Sequence, residues 1–286
     1  MKPIGLSEDG ESITIHKFHG DLKINDKALT NVDTKVITYL DVETTGLNAN
    51  TEAVTEIGLL QFEYCLNNDC IVKIIEKYQS FQDPKRPIPA MITELTGITD
   101  EMVKGQTIDR DKVNSILESS DLILSHNATF DRAFIDPLFT SSQNAVWGCS
   151  VRQIDWRKAG FSSKSLGHLC RDHGFFFESH RALCDVLASI HLLSFKNHLT
   201  DKSYLNELYH SSHESVCLIQ AFGAAFETKD DLKAKHFRWN APMRVWEIQV
   251  KEVDVDGIIE WMNKDIYKGK CKAQVQKVPL ENRFKA

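Results

Sequence analysis

Three runs rich in β-branched and aromatic residues, 36–42, 53–64 and 71–81, are separated by Gly, Asn and Asp, and predict three consecutive strands. The stretch Asp83-Pro-Lys-Arg-Pro-Ile-Pro89 breaks that pattern. A short helix is predicted over 89–95, with Pro at its start and Gly97 at its stop, and another over 111–118. An apolar strand at 121–125, a helix over 130–139, a strand at 145–151 and helices over 165–173 and 181–193 complete the series. Together these predict an α/β layer fold, a sheet flanked by helices. Before it, residues 1–34 form an extension in which an alternating stretch, 12–18, is followed by His19-Gly20 and then 21–24, a candidate hairpin.

A domain boundary is read at a polar bridge over 196–212, so the first domain is placed at 35–200 and a second at 213–286. The second reads as an α+β module. It has a strand at 215–222, a helix over 229–236, a hairpin about Asn240-Ala-Pro242, a helix over 255–266 and a last strand at 272–278. Residues 204–286 carry 13 basic and 12 acidic side chains, which leaves a charge of −7 on residues 1–203.

Composition narrows the class without naming a function. The 286 residues are 42% hydrophobic and 26% charged, with only 14 Gly and 7 Pro, which excludes a collagenous or largely disordered chain. A net charge of −6 excludes a wholesale basic coat, so any grip on nucleic acid comes from local patches or bound cations. Seven cysteines without a CxxC pair fit neither a disulfide framework nor a zinc ribbon. The first residues lack a secretory pattern and no apolar run is long enough to span a bilayer, so the expectation is a cytoplasmic protein without membrane contact.

Four acids stand out from this background. Asp41 and Glu43 are two apart near the end of the first strand, where period-two alternation projects both from one face about 7 Å apart. Two buried anions need a cation; alternatively the strand ends at Asp41 and both acids lie in a solvated turn opened by Thr44-Thr-Gly46. Asp131 follows the strand 121–125 near a helix start, where an acid also simply complements the helix dipole. Asp185 lies in a helix that is apolar nearly all round, so its carboxylate needs a partner. His180, five residues earlier, is either a surface residue at a helix mouth or a base with a pKa suited to neutral pH.

The motifs Asp41-Val-Glu43-Thr-Thr-Gly-Leu47, His126-Asn-Ala-Thr-Phe-Asp131 and His180-Arg-Ala-Leu-Cys-Asp185 resemble, in order and spacing, the three exonuclease motifs of the DnaQ-like DEDDh 3′–5′ exonucleases. The polymerase III proofreading subunit and RNase T belong to that group. The resemblance covers roughly residues 36–193, and residues 87–99 resemble the segment that the family carries between its first two motifs. It implies an RNase H-like domain whose acids converge at one end of a mixed sheet. It further implies two Mg²⁺ (or Mn²⁺) ions held by hard oxygen donors. Asp41 would bridge both ions, Glu43 and Asp185 would join the first, and Asp131 would hold the second. His180 would take a proton from the attacking water, while Thr44, Leu47 and Phe130 would meet the terminal nucleotide, Leu47 as a wedge between bases. Leu47 also reads as a core leucine after a turn, and Phe130 as an aromatic that anchors its helix.

The implied activity is release of nucleoside monophosphates from a single-stranded or frayed 3′ end in DNA replication or repair. RNA ends are the alternative substrate, and a non-catalytic nucleic-acid-binding module is the second alternative. Outside this region, His168, Cys170 and His173 read as helix packing rather than a metal cluster, and His210 and His213 as solvated. Lys233-Ala-Lys-His-Phe-Arg-Trp239 and Arg244-Val-Trp246 interleave basic and aromatic residues, as a single-strand stacking platform does; cross-strand core pairs are the simpler reading, which assigns Trp246 to a core and leaves Trp239 open.

Overall fold

The computed structural model describes residues 7–25 and 33–285. Strands β1 (His16–Lys17), β2 (Thr34–Thr44), β3 (Val54–Cys65) and β4 (Cys70–Phe81) come first, then helices α1 (Ala90–Thr96), α2 (Asp100–Val103) and α3 (Arg110–Glu118). Next follow β5 (Leu122–Ser125), α4 (Ala128–Ile135), α5 (Thr140–Asn144), β6 (Trp147–Cys149) and α6 (Ser150–Gln153). Helix α7 (Leu166–Asp172), β7 (Phe175–Phe176), α8 (Ala182–Leu193) and α9 (Tyr204–His213) end this half of the chain. Contacts divide the molecule into two units, residues 1–212 with 284–286, and residues 213–283.

The first unit is built on a five-stranded mixed sheet in the order β4-β3-β2-β5-β6. The three leading strands are antiparallel, whereas β5 and β6 run parallel to β2. Strand β2 is central because both its faces are apolar. Ile37 and Tyr39 enter the core on the side of α8, and Leu40 and Val42 enter the core formed with α3 and α4. Strand β4 closes one edge and exposes Lys73 and Lys77, charges that discourage further pairing.

Three expectations change. No hairpin joins 12–18 to 21–24: His16–Lys17 pairs in parallel with Phe175–Phe176 instead. Phe18 explains the choice, because its ring stacks on His191 at 4.4 Å and meets Phe175 edge-on, contacts that a marginal two-stranded hairpin would lack. The polar bridge is largely a helix. Tyr204, Leu205, Leu208 and Ser212 are buried along one stripe of α9, and the intervening polar residues hid that periodicity. The strand read over 145–151 is confined to Trp147–Cys149, and Ser150 begins α6.

The second unit contains β8 (Val216–Ala221), α10 (Lys229–Ala234), β9 (Arg238–Asn240), β10 (Val245–Lys251), α11 (Val255–Trp261) and β11 (Gln274–Val278). Its antiparallel sheet has the order β11-β8-β10-β9. Ile219 and Ala221 on one face pack with Leu232, Phe237, Met262 and Ile266 into a core of its own. Helix α11 continues through Met262–Ile266 as a π-helical turn.

Helix α8 is the element that positions chemistry in the first unit, and Gly58 sets its distance from the sheet. Gly58 pairs with Asp41 in the β2–β3 ladder. A Cβ there would lie 2.5 Å from the Ala182 carbonyl carbon and the Leu183 nitrogen, both backbone atoms that cannot rotate away. Gly58→Ala is therefore expected to force the start of α8 off the sheet and to lower stability by about 1–3 kcal/mol, the usual cost of overpacking. Urea unfolding checks this; an unchanged midpoint would show that α8 does not depend on the close approach.

Candidate active site

Strand β2 continues to Thr44, so Asp41 and Glu43 lie within a strand and not in a solvated turn. They share the face of Ile37 and Tyr39, toward α8. Asp185 sits in the first turn of α8, and its carboxylate accepts the Arg181 backbone N–H at 3.1 Å, much as a capping-box acid reaches back across a helix start. Carboxylate oxygens of Asp41, Glu43 and Asp185 all lie within 4.8 Å of one another. Asp131 is buried in the first turn of α4, directly after β5, at the carboxyl end of the two parallel strands β5 and β2. The Ser125 hydroxyl, donating to the Leu40 carbonyl at 2.7 Å, ties those strand ends together.

Removal from water raises every one of these acids, and like charges add to it at Asp41, Glu43 and Asp185. Burial and then the charges of Asp131, Asp185 and Glu43 push Asp41 well above the usual carboxylate range. Burial, followed by the charges of Asp185, Glu56 and Asp131, lifts Glu43 to about 8. Burial likewise lifts Asp131 and Asp185 to about 7, against the pull of backbone amides on each. Such a nest of hard oxygen donors fits a divalent cation of the Mg²⁺ or Mn²⁺ type, whose charge would offset the repulsion that now favours protons.

The remaining sequence candidates fall in different places. His180 is exposed two residues before α8 and lies outside the three-carboxylate cluster, with a left-handed φ of 66° that is uncommon for a residue bearing a side chain. Thr44 is buried and its hydroxyl donates to the Gly46 carbonyl at 2.7 Å. Leu47 is 86% exposed and is not a core residue. Phe130 is half-buried, 5.0 Å from the Phe134 ring, and packs on the core behind the site.

Glu56 and Arg181 escaped the sequence reading. Glu56 is fully buried and stands opposite Glu43 in the β2–β3 ladder. Its carboxylate accepts from the Arg181 guanidinium at 2.9 and 3.2 Å, the Ala182 N–H at 3.1 Å and Gln79 at 2.6 Å. The pair thus pins the start of α8, and with it Asp185, to the sheet. The signal was present: an acid in the run Val54 to Leu60, whose only other polar side chain is Thr55, needs a partner for the same reason Asp185 does.

Comparison with known proteins identifies the family of the first unit. Residues 38–193 match the RNase T family model, described as exonuclease. The chain is 29% identical over 197 residues to the PolC-type DNA polymerase III of Bacillus subtilis, which covers 66% of this chain and 12% of that protein. It is 31% identical over 164 residues to the PolC-type DNA polymerase III of Listeria monocytogenes, covering 53% and 10% respectively. The chain therefore matches only about a tenth of the length of these relatives. Among solved structures, E. coli exonuclease I in complex with a dT13 oligonucleotide shares the fold, with a TM-score of 0.52 at 16% identity over 87% of this chain and 64% of the other. The chain belongs to the RNase T exonuclease family.

Proposed function

We propose that this protein is a divalent-metal-dependent 3′–5′ exonuclease of the DEDDh type that releases nucleoside monophosphates from DNA ends. The observation that carries the reading is the convergence of Asp41, Glu43 and Asp185 within 4.8 Å, with Asp131 close enough to be the largest charge acting on Asp41. In this reading Asp41, Glu43 and Asp185 would hold one cation and Asp131 would help to hold a second. Two such ions, when bound, would supply the positive charge that phosphodiester cleavage requires at its entering and leaving oxygens.

The chain's own residues do the rest. His180 accepts the proton of the attacking water. The loop that carries it is held at its neighbour, since the Arg181 amide donates to Asp185 and the Arg181 guanidinium to Glu56. Leu47, with most of its surface open to solvent beside the acidic strand end, wedges against the terminal bases, and Thr44 and Phe130 border the last nucleotide. The likeness to PolC-type DNA polymerases favours DNA over RNA as substrate.

On 5′-labelled single strands, the expected result is a ladder shortened from the 3′ end, dependent on Mg²⁺ or Mn²⁺ and faster on DNA than on RNA. Asp41→Asn is expected to abolish it with the circular dichroism spectrum unchanged; retained activity refutes the site. His180→Ala should lower kcat by about 10²–10⁴-fold, the span of general-base catalysis, with strand affinity nearly unaltered. Weaker binding with a normal rate on bound strand would remove the base role.

Stability of the metal-free protein carries a further signature. Because folding raises the pKa values of Asp41, Glu43, Asp131 and Asp185, the folded state keeps protons that the unfolded chain releases near pH 4. This contribution is fully present below about pH 4 and is lost as pH rises toward about 8. Thermal midpoints in EDTA are expected to fall across that window, and Mn²⁺ to reverse the fall at its upper end. Midpoints insensitive to both pH and Mn²⁺ would show that the acids do not form a cation site.

A further inference from the structure

The second unit carries an unusual arrangement of cations. Three lysines of one short stretch each lie over an aromatic ring: Lys229 over Phe226 at 4.2 Å, Lys233 over Trp246 at 5.8 Å and Lys235 over Trp261 at 5.5 Å. Acidic company is sparse. Residues 229–246 contain five Lys and Arg against Asp230 and Asp231, and Asp230 approaches Lys233 only at 3.8 Å, with both side chains largely in water. The register explains how this band reaches solvent. Trp239 pairs with Trp246 across β9 and β10, on the sheet face that packs against α10 and α11, and β9 is the edge strand. The inner ring, Trp246, is therefore half covered, while Trp239 at the edge is 50% exposed and its centroid lies 5.6 Å from that of Trp246. Met243, in the turn that joins the two strands, is 56% exposed beside Arg244.

An exposed indole at a sheet edge is costly to keep in water and invites pairing with another chain. Here it is accompanied by Lys233 and Lys235, each over a π face, and the long, largely solvated ion pair of Lys233 with Asp230 leaves its ammonium open to an anion. A ligand that offers flat aromatic groups and regularly spaced negative charges meets both demands; an aliphatic or purely acidic partner meets one. We propose that the edge formed by Trp239, Trp246, Lys233 and Lys235 is a binding surface for single-stranded nucleic acid, with a base stacked on Trp239 and phosphates at the two lysines. The proposal rests on the nuclease reading for the class of ligand, but it uses none of the residues of the carboxylate site.

The test uses the full chain carrying Asp41→Asn, in EDTA, with fluorescently labelled dT20. Trp239→Ala is expected to weaken dT20 binding roughly five- to a hundredfold, the effect of losing one base–aromatic stack. Trp239→Phe is expected to restore most of the affinity, which a purely structural role for the indole would not require. The pair Lys233→Gln and Lys235→Gln should lower the slope of log affinity against log salt by about 1.4, the value for two phosphate contacts on a single strand. In the chain with Asp41 intact, Trp239→Ala should leave hydrolysis of a dinucleotide unchanged, so a failed stacking surface and a failed nuclease site give different results. Unaltered dT20 affinity in Trp239→Ala and in the double lysine variant would overturn the proposal. So would equal competition by poly-glutamate of matched charge, since that would make the surface a site for acidic peptides.

Discussion

Asp41, Glu43 and Asp185 are brought together at the carboxyl end of β2, with the charge of Asp131 acting on Asp41, and removal from water disfavours the charge of all four. A site of this kind opposes its own assembly, and the surrounding structure is arranged to hold it closed. Burial of an unpaired carboxylate is ordinarily relieved by protonation or by solvent reaching in. Relief by a divalent cation requires that the oxygens be kept close before it arrives, which places the demand on the scaffold rather than on the acids.

The scaffold meets it with rigid elements that lie far apart in sequence. Parallel pairing of β5 with β2 brings the start of α4, and Asp131, to the end of the acidic strand. The absent side chain at Gly58 lets the first turn of α8 rest on the sheet opposite Asp41, and Glu56 receives the Arg181 guanidinium and the Ala182 amide to lock it there. Glu56 is thus an acid with a different task from its neighbour Glu43. Its oxygens are fully engaged by donors from the protein, whereas those of Asp41, Glu43 and Asp185 face one another.

The second unit solves another problem on a smaller scale. Its four strands enclose a core around Ile219, Leu232, Phe237 and Met262, yet the edge strand leaves an indole in solvent. Lys233 of α10 lies over Trp246 and Lys235, just past the helix, over Trp261, so positive charge is held against aromatic faces with only the long Asp230 ion pair beside it at Lys233. The carboxylate centre and this basic, aromatic edge are complementary kinds of surface, one suited to cations and the other to an anionic strand.

Alternation and composition in the chain were enough to establish the leading strands, because β2 and β3 are buried on both sides and so read as nearly continuous apolar runs; Asp41 and Glu43 are conspicuous in β2, as Asp185 is in the apolar helix α8. Weaker patterns failed where the decisive contacts are distant. Nothing local distinguishes a hairpin at 12–24 from a strand that pairs with Phe175–Phe176, since the stacking of Phe18 on His191 depends on residues some 170 positions away. Helix α9 was masked by polar residues on its outer face, and Glu56 passed unnoticed because its partner Arg181 lies 125 residues on. The amino-acid order determines which residues are out of place in an apolar setting; only the packed structure decides which of them meet, because pairing across the chain is governed by distance in space and the burial that enforces it.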